Sequence, residues 1–487
     1  LSDYIDKHWQ IYSEQREKAL YDTACTATVW PILSNSKDAT QASPSLQSQE
    51  KCKANLQASS GSYQRLKMVM DTWCALWFWP TEKADALPSR EGWLQSVKIL
   101  MGHEAIPEDQ RALISAGLGF DIGVLYQASK TDLPDTNTIT ATVPWFDQSS
   151  TISQEQNFHH WPLAFSEILG QNATHKGFDL ILGNPPWLKV GWNDAPLLAE
   201  FEPQLGVKEG ASATFNKKRK LLLEDVENRE VYINEFYKGN GSISILGSRR
   251  QFAELAGVQT NLYKNFVAES WHLLGENGIG GFLHPDGIYD DPNGGLLRSN
   301  YYKRLVAHYQ IKNELQLFSE VDHHQAFSLN VFNGQPKQIN FKNLVNLFHP
   351  STIKLCRLSN GSGNVPGIKN NENNWELRGH KNRITQITEK ELGLFTKLFE
   401  DLGTPIEEAR LPQIHSLELL EVLRKFTSVK TRLGDLKDEY YSTVMFDETF
   451  AQRDSLITRQ EDPTFQPKSA DEWIISGPHF FVGNPFA

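Results

Sequence analysis

The stretch FDLILGNPPWLKV, Phe178 to Val190, sets a hydrophobic run directly against an amide, two prolines and a tryptophan. The run Phe178–Gly183 has the length and aliphatic content of a buried strand. Proline has a fixed φ and no N–H, so Pro185 and Pro186 keep the strand from turning straight into a helix. The carbonyls of Asn184 and Pro185 are therefore held outward, and the Asn184 side-chain oxygen adds a further acceptor. Two converging acceptors suit the two hydrogens of an –NH2 group, and the Trp187 face suits the ring that carries it.

An exocyclic ring amine is a poor nucleophile because its lone pair is delocalised into the ring. Accepting both of its hydrogens localises that pair and readies it for in-line attack on a methyl sulfonium, with no metal or strong base. A Pro-Pro pair after a strand also serves as a plain rigid turn, so the neighbouring elements must decide between the two readings.

Those neighbours alternate. NLYKNFVAESWHLLGENG, from Asn261, puts Leu262, Phe266, Trp271 and Leu274 on one side of a helix that ends at Gly275 or Gly278. IGGFLHP from Ile279 reads as a strand, SNYYKRLVAHY from Ser299 as a helix and NELQLF from Asn313 as another strand. FSLNVFNGQPKQINFKNLVN alternates Phe327, Leu329 and Val331, breaks at Asn333-Gly334 and resumes at Ile339 and Phe341, as an antiparallel hairpin does. The fold class expected is α/β, the second half of an open, Rossmann-like sheet with a closing hairpin. Such sheets bind their ligands at the carboxyl ends of the strands, where the NPPW corner falls.

The remainder reads as three regions. Residues 1–150 form a helical subdomain with a polar connector, with helices over about 1–30 and from Tyr63 to Trp79, the second stopped by Pro80. Residues 151–345 carry the α/β region. Residues 346–487 begin with the linker SNGSGNVPGIKNNENN and continue as a separate module.

At 487 residues, 39% hydrophobic and 22% charged, the chain has ample material for real cores, and its longest apolar patch, CALWFW, is too short to span a bilayer. Cys25, Cys52, Cys74 and Cys356 have neither zinc-ligand spacing nor disulfide density, which points to a reducing cytoplasm. A net charge of −11 excludes a uniformly basic nucleic-acid binder but leaves room for a local basic groove.

With FHHWPLAFSEIL and GFDLILGNPPW in front, and the helix-strand step, LFSEVDHHQAFSLNVFNG and ISGPHFFVGNPF behind, the chain resembles the adenine-specific amino-methyltransferases of DNA. Their motif is (Asp/Asn/Ser)-Pro-Pro-(Tyr/Phe/Trp), and the likeness extends from about Trp73 to the C-terminus. Within that group it looks like the large methylases of restriction-modification and phage-defence systems. The resemblance implies S-adenosylmethionine as methyl donor, double-stranded DNA as substrate, a base flipped out of the duplex, a target-recognition region after about residue 346, and nuclease or helicase partners. It further implies that Asn184 and the Pro185 carbonyl grip the target amine, that Pro186 shapes the turn, that Trp187 stacks on the base, and that Asn184 also borders the cofactor.

The match has a gap. The family's glycine-rich cofactor loop should precede the corner, yet SAGLGFD at Ser115 lacks a preceding strand, and NGIGG at Asn277 lies downstream and reads as a turn. A fragment lacking the cofactor half at its N-terminus would account for this. Lys217, Lys218, Arg219, Lys220, Arg249 and Arg250 are candidates for phosphate contact. VDHHQ shows no carboxylate at ligand spacing, and adjacent histidines on a strand diverge, so no metal is expected. HPDG and LPDT have no Glu-x-Lys partner of a nuclease. The rival readings are a non-catalytic DNA-binding or assembly subunit, and a methyltransferase acting on RNA or on protein glutamine.

Overall fold

Six of the hydrophobic runs pair into one mixed sheet, ordered β1-β2-β4-β3-β5-β6, in the computed structural model of the chain. The strands are β1 (Phe178–Gly183), β2 (Leu274–Pro285), β3 (Leu305–Lys312), β4 (Ala326–Asn333), β5 (Asn340–Leu347) and β6 (Thr385–Thr388). The structure describes residues 1–24, 61–102, 107–127, 134–170, 176–207 and 212–429, with a few isolated positions besides. The chain divides into two compact units, Leu1–Thr427 and Ser428–Ala487, and nearly all of the described residues lie in the first. The connector at Ser34–Ser62 and the aromatic C-terminal stretches lie almost wholly outside the described residues, as does ISGPHFFVGNPF.

β1 runs parallel to β2, with Gly183 opposite Phe282. It is an edge strand among the described residues, and Leu180 and Leu182 are 57% and 71% exposed, so the expectation of a buried strand is corrected. The aliphatic run is that of a strand flanked on both sides, yet among the described residues only β2 lies beside it.

Two further expectations shift. The strand assigned to NELQLF begins earlier, as β3, because the helix before it stops at Tyr302 and β-branched Val306 and Ile311 follow; NELQLF itself is a short 3-10 turn and bends. The two halves of the Phe327–Asn346 segment do not form a hairpin. β4 lies antiparallel between β2 and β3, while β5 crosses the start of β3, where Lys337 N–H donates to the Lys303 carbonyl, and pairs parallel on its far side. The loop after Asn333 is long enough for this crossing, and two strands can share a sheet without sharing hydrogen bonds.

NGIGG is part of β2 rather than a turn. A Cβ at Gly280 would stand 2.2 Å from the ring of Phe332, which is fully buried, so glycine lets that aromatic cross the strand. The main core, including Phe282, Leu297, Tyr301, Tyr302, Phe332 and Phe341, continues through Ile387, Leu392, Phe395 and Leu420. Residues beyond 346 thus add β6 and the helices Glu389–Phe399 and Leu417–Phe426 to the same core, and the linker-like stretch loops out and returns.

The N-terminal helices Ser2–Ala24, Ser62–Ala75, Arg90–Leu100 and Pro144–Gln156 enclose a second core that includes Phe78, Val97, Leu100, Phe146 and Ile152, with Pro80 following the 3-10 turn Leu76–Phe78 as expected. Buried Arg65 ties them together, donating to the carbonyls of Leu100 and Pro134 at 2.6 Å each. Trp73, on the helix Ser62–Ala75, is 47% exposed. SAGLGFD is the end of the helix Glu108–Leu118, with Gly119 as a left-handed cap (φ 75°), and has no strand to make it a cofactor loop. Asp135 of LPDT caps the helix Thr136–Thr142 through the N–H groups of Asn137 and Thr138.

Candidate active site at the end of β1

The corner at the end of β1 is clamped on both sides. Before it, β1 pairs with β2; after it, Leu188 accepts from Leu262 N–H at 2.9 Å and Val190 N–H donates to Thr260 at 3.2 Å. Four residues held between two sets of backbone bonds, two of them prolines, have little freedom left. Pro185 is buried while Asn184 and Pro186 are exposed. The carbonyls of Asn184 and Pro185 and the Asn184 side chain make no hydrogen bond with the described residues. Three acceptors are thus available at the carboxyl end of a strand.

Trp187 is half-buried. Its Nε1–H lies 3.4 Å from the Leu283 carbonyl, and its ring packs on Phe318 and Phe327 with centroids 5.8 Å away in each case. The tryptophan therefore anchors the corner to the loop after β3 as well as presenting what remains of its surface.

Beside β1 lies a cavity of about 580 Å3, within the range of small-molecule sites. Its walls are largely apolar, with Trp161 and Phe165 from the FHHWPLAF lead-in, Leu180 and Leu182 from β1, and Phe266. Asn184, Asn265 and Glu269 bring polar atoms to it. The buried Asn265 Oδ1 has no partner among the described residues, and burial pushes the Glu269 carboxyl above its usual value, against an opposing effect from His272. An apolar recess with a few polar atoms can take a flat, partly polar ligand.

Behind the corner, HPDG proves to be structural. Burial alone would raise the Asp286 carboxyl, but His308, Gln310 and Ser328 hold it below the ordinary range. His308 reaches Asp286 at 2.8 Å through Nε2 and Asn343 at 2.7 Å through Nδ1, which ties β3 to β5 and to the end of β2. His284, fully buried, makes contacts at 2.8 Å with the Pro285 carbonyl and 3.2 Å with the Tyr301 hydroxyl. Sequence reasoning treated this Asp only as a nuclease candidate; the alternation of polar residues along β3 and β4 (His308, Gln310, Ser328, Asn330) was the signal for a buried network.

The basic candidates divide. Lys218 pairs with Glu202 at 2.5 Å and Arg219 with Asp194 at 2.9 Å, which commits both to their own fold. Lys217, Lys220, Arg249 and Arg250 are exposed and have no ion pair among the described residues. The histidines of VDHHQ occupy a turn instead of a strand, and the fold brings Glu314 to them, so both reasons for dismissing them fail.

No family model matches the sequence, and no curated protein matches it. Among solved structures, the chain is similar to the DNA-bound ATP-dependent Type ISP restriction-modification enzyme LlaBIII, with 12% identity and a TM-score of 0.19, over 42% of this chain and 11% of that one. A type I restriction-modification methyltransferase subunit from Streptococcus thermophilus gives 12% identity and a TM-score of 0.22, over 47% and 43% of the respective chains. A DrdV–DNA complex gives 14% identity and a TM-score of 0.21, over 85% of this chain and 43% of that one. The chain spans less than half the length of each. Likenesses this distant leave the chemistry to be argued from the residues.

Proposed function

We propose that this chain carries the amine-gripping part of a DNA adenine methyltransferase that takes its methyl group from S-adenosylmethionine, in a restriction-modification or phage-defence system. The observation that supports it is the clamped corner: Asn184 Oδ1 and the Asn184 and Pro185 carbonyls make no hydrogen bond with the described residues and stand at the carboxyl end of β1. Acceptors fixed before substrate arrives need no reorganisation to receive the two amine hydrogens, and that preorganisation lowers the barrier. The adenine would be flipped from the duplex and steadied by the accessible part of Trp187.

In this reading the donor lies beside β1. The described residues before Asn184 offer no glycine-rich loop after a strand. The edge of β1, which no described strand pairs, and its exposed Leu180 and Leu182 would accept a further strand-bearing segment that holds the sulfonium in line with the amine. Exposed Lys217, Lys220, Arg249 and Arg250 would contact phosphate.

The test is methyl transfer. The protein expressed from its own gene is given methyl-labelled S-adenosylmethionine with plasmid DNA, with RNA, or with a glutamine-bearing release factor. Label recovered as N6-methyladenine in DNA supports the reading. Label only in RNA or protein, or in none of the three, refutes it.

A further inference from the structure

The loop between β3 and β4 gathers Glu314, His323 and His324, residues 10 and 9 apart in sequence for the two Glu–His pairs, so that one ligand atom from each lies within 4.8 Å of the others. Glu314 comes from the 3-10 turn Asn313–Leu315, and the histidines come from the turn that leads into β4. Glu314 Oε1 and His324 Nδ1 are 3.2 Å apart, and the two imidazole centroids are 3.8 Å apart. A tetrahedral ion with bonds of about 2.0–2.1 Å separates its ligand atoms by roughly 3.4 Å. One pair already has that spacing. The remaining spacings are those of His323, which is exposed and can rotate toward the Glu314–His324 pair.

The chain itself sets the loop's shape. Asn313 is fully buried, donates to the carbonyls of Phe318 and Val321 at 2.8 Å each, and accepts from Phe318 N–H at 3.1 Å. Asp322 Oδ1 accepts from His324 N–H at 2.8 Å. The backbone that carries the ligands is therefore shaped before any ion arrives, which reduces the ordering entropy of binding.

We propose that Glu314, His323 and His324 form a site for a divalent transition ion of the zinc type, with water completing the coordination. Two imidazoles and one carboxylate suit zinc, nickel, cobalt or iron(II), whereas magnesium and calcium favour all-oxygen sets. The ion fastens the 313–325 loop, whose Phe318 packs on Trp187, and so stiffens the wall behind the corner. The site stands independently of the methyl-transfer reading, since its ligands do not touch the corner.

The experiment is calorimetric titration of Zn2+, and of Co2+ with its visible spectrum followed, into chelator-stripped protein. One saturable site is expected. His323→Ala, His324→Ala and Glu314→Gln should each weaken it about tenfold or more, the scale on which even supporting groups of metal sites act. His349→Ala, at an exposed histidine elsewhere, should leave the affinity unchanged. The two loop histidines are exposed, so their variants retain the fold, which circular dichroism checks. Absence of saturable binding, or an unaltered affinity in the His323→Ala/His324→Ala double variant, overturns the proposal and leaves Glu314 and His324 as a surface hydrogen bond.

Discussion

Acidification should weaken the sheet next to the corner through one residue, His284. Burial lowers its pKa from 6.5 to about 4, outweighing the hydrogen bond to the Pro285 carbonyl and the nearby Asp286 charge, while His308 pushes in the same direction as burial. The folded state thus keeps the ring neutral where the unfolded chain would protonate it. Stability from this group is complete above the unfolded pKa and is lost as pH falls from 6.5 toward about 4. Between about pH 7.5 and about pH 5.0 the loss is roughly 2 kcal/mol, because the unfolded chain then binds nearly one more proton than the folded one. Other buried groups titrate as well: Glu269 and Asp290 shift upward and act in the opposite direction, whereas His8 and His415 act in the same direction. A difference measurement removes them. Urea unfolding of the wild type and of His284→Gln, which keeps a donor and an acceptor but no titration, should show the wild type losing about 2 kcal/mol more across that interval. Equal losses in the two proteins would refute the assignment of a buried neutral histidine.

Gly280→Ala puts a methyl group into the ring of buried Phe332, and overpacking of this kind costs about 1–3 kcal/mol by denaturant unfolding; a cost under about 0.5 kcal/mol would show that the ring moves aside freely. Replacing Lys217, Lys220, Arg249 and Arg250 together by alanine should weaken duplex binding and flatten the slope of log K against log salt by up to about 3.6, at about 0.9 per phosphate contact. Alanine at Lys218 or Arg219, already paired with Glu202 and Asp194, should leave that slope nearly unchanged; the reverse pattern would misplace the interface.

The mixed α/β character and a helix from Leu262 followed by a strand were legible because periodicity is a local signal, but the expected helix end at Gly275 or Gly278 is corrected: the helix stops at Leu273, and Leu274, Gly275 and Gly278 belong to β2. Strand order was not. Alternation within Phe327–Asn346 marks two strands correctly but says nothing of what separates them, and here β3 fills the place of the expected partner. The aliphatic run of β1 encodes burial on both sides, and only the three-dimensional pairing reveals that, among the described residues, it has a neighbour on one side alone. At the corner, the prolines announce rigidity in the sequence itself, while the backbone clamp from Thr260 and Leu262 comes from residues more than 70 positions away. The union of Glu314 with two histidines was hidden for the same reason: ligand spacing along a chain assumes regular elements, and a turn held by Asn313 brings together side chains that a strand would spread apart.

The most direct measurement is turnover of Asn184→Ala. Asn184 is exposed and its side chain makes no hydrogen bond with the described residues, so the variant should unfold at the wild-type denaturant midpoint and still bind duplex DNA. Its rate of methyl transfer from S-adenosylmethionine to adenine should fall by about 10²–10³, the usual cost of deleting one preorganised hydrogen-bonding group. A variant with wild-type turnover would contradict the role assigned to the corner.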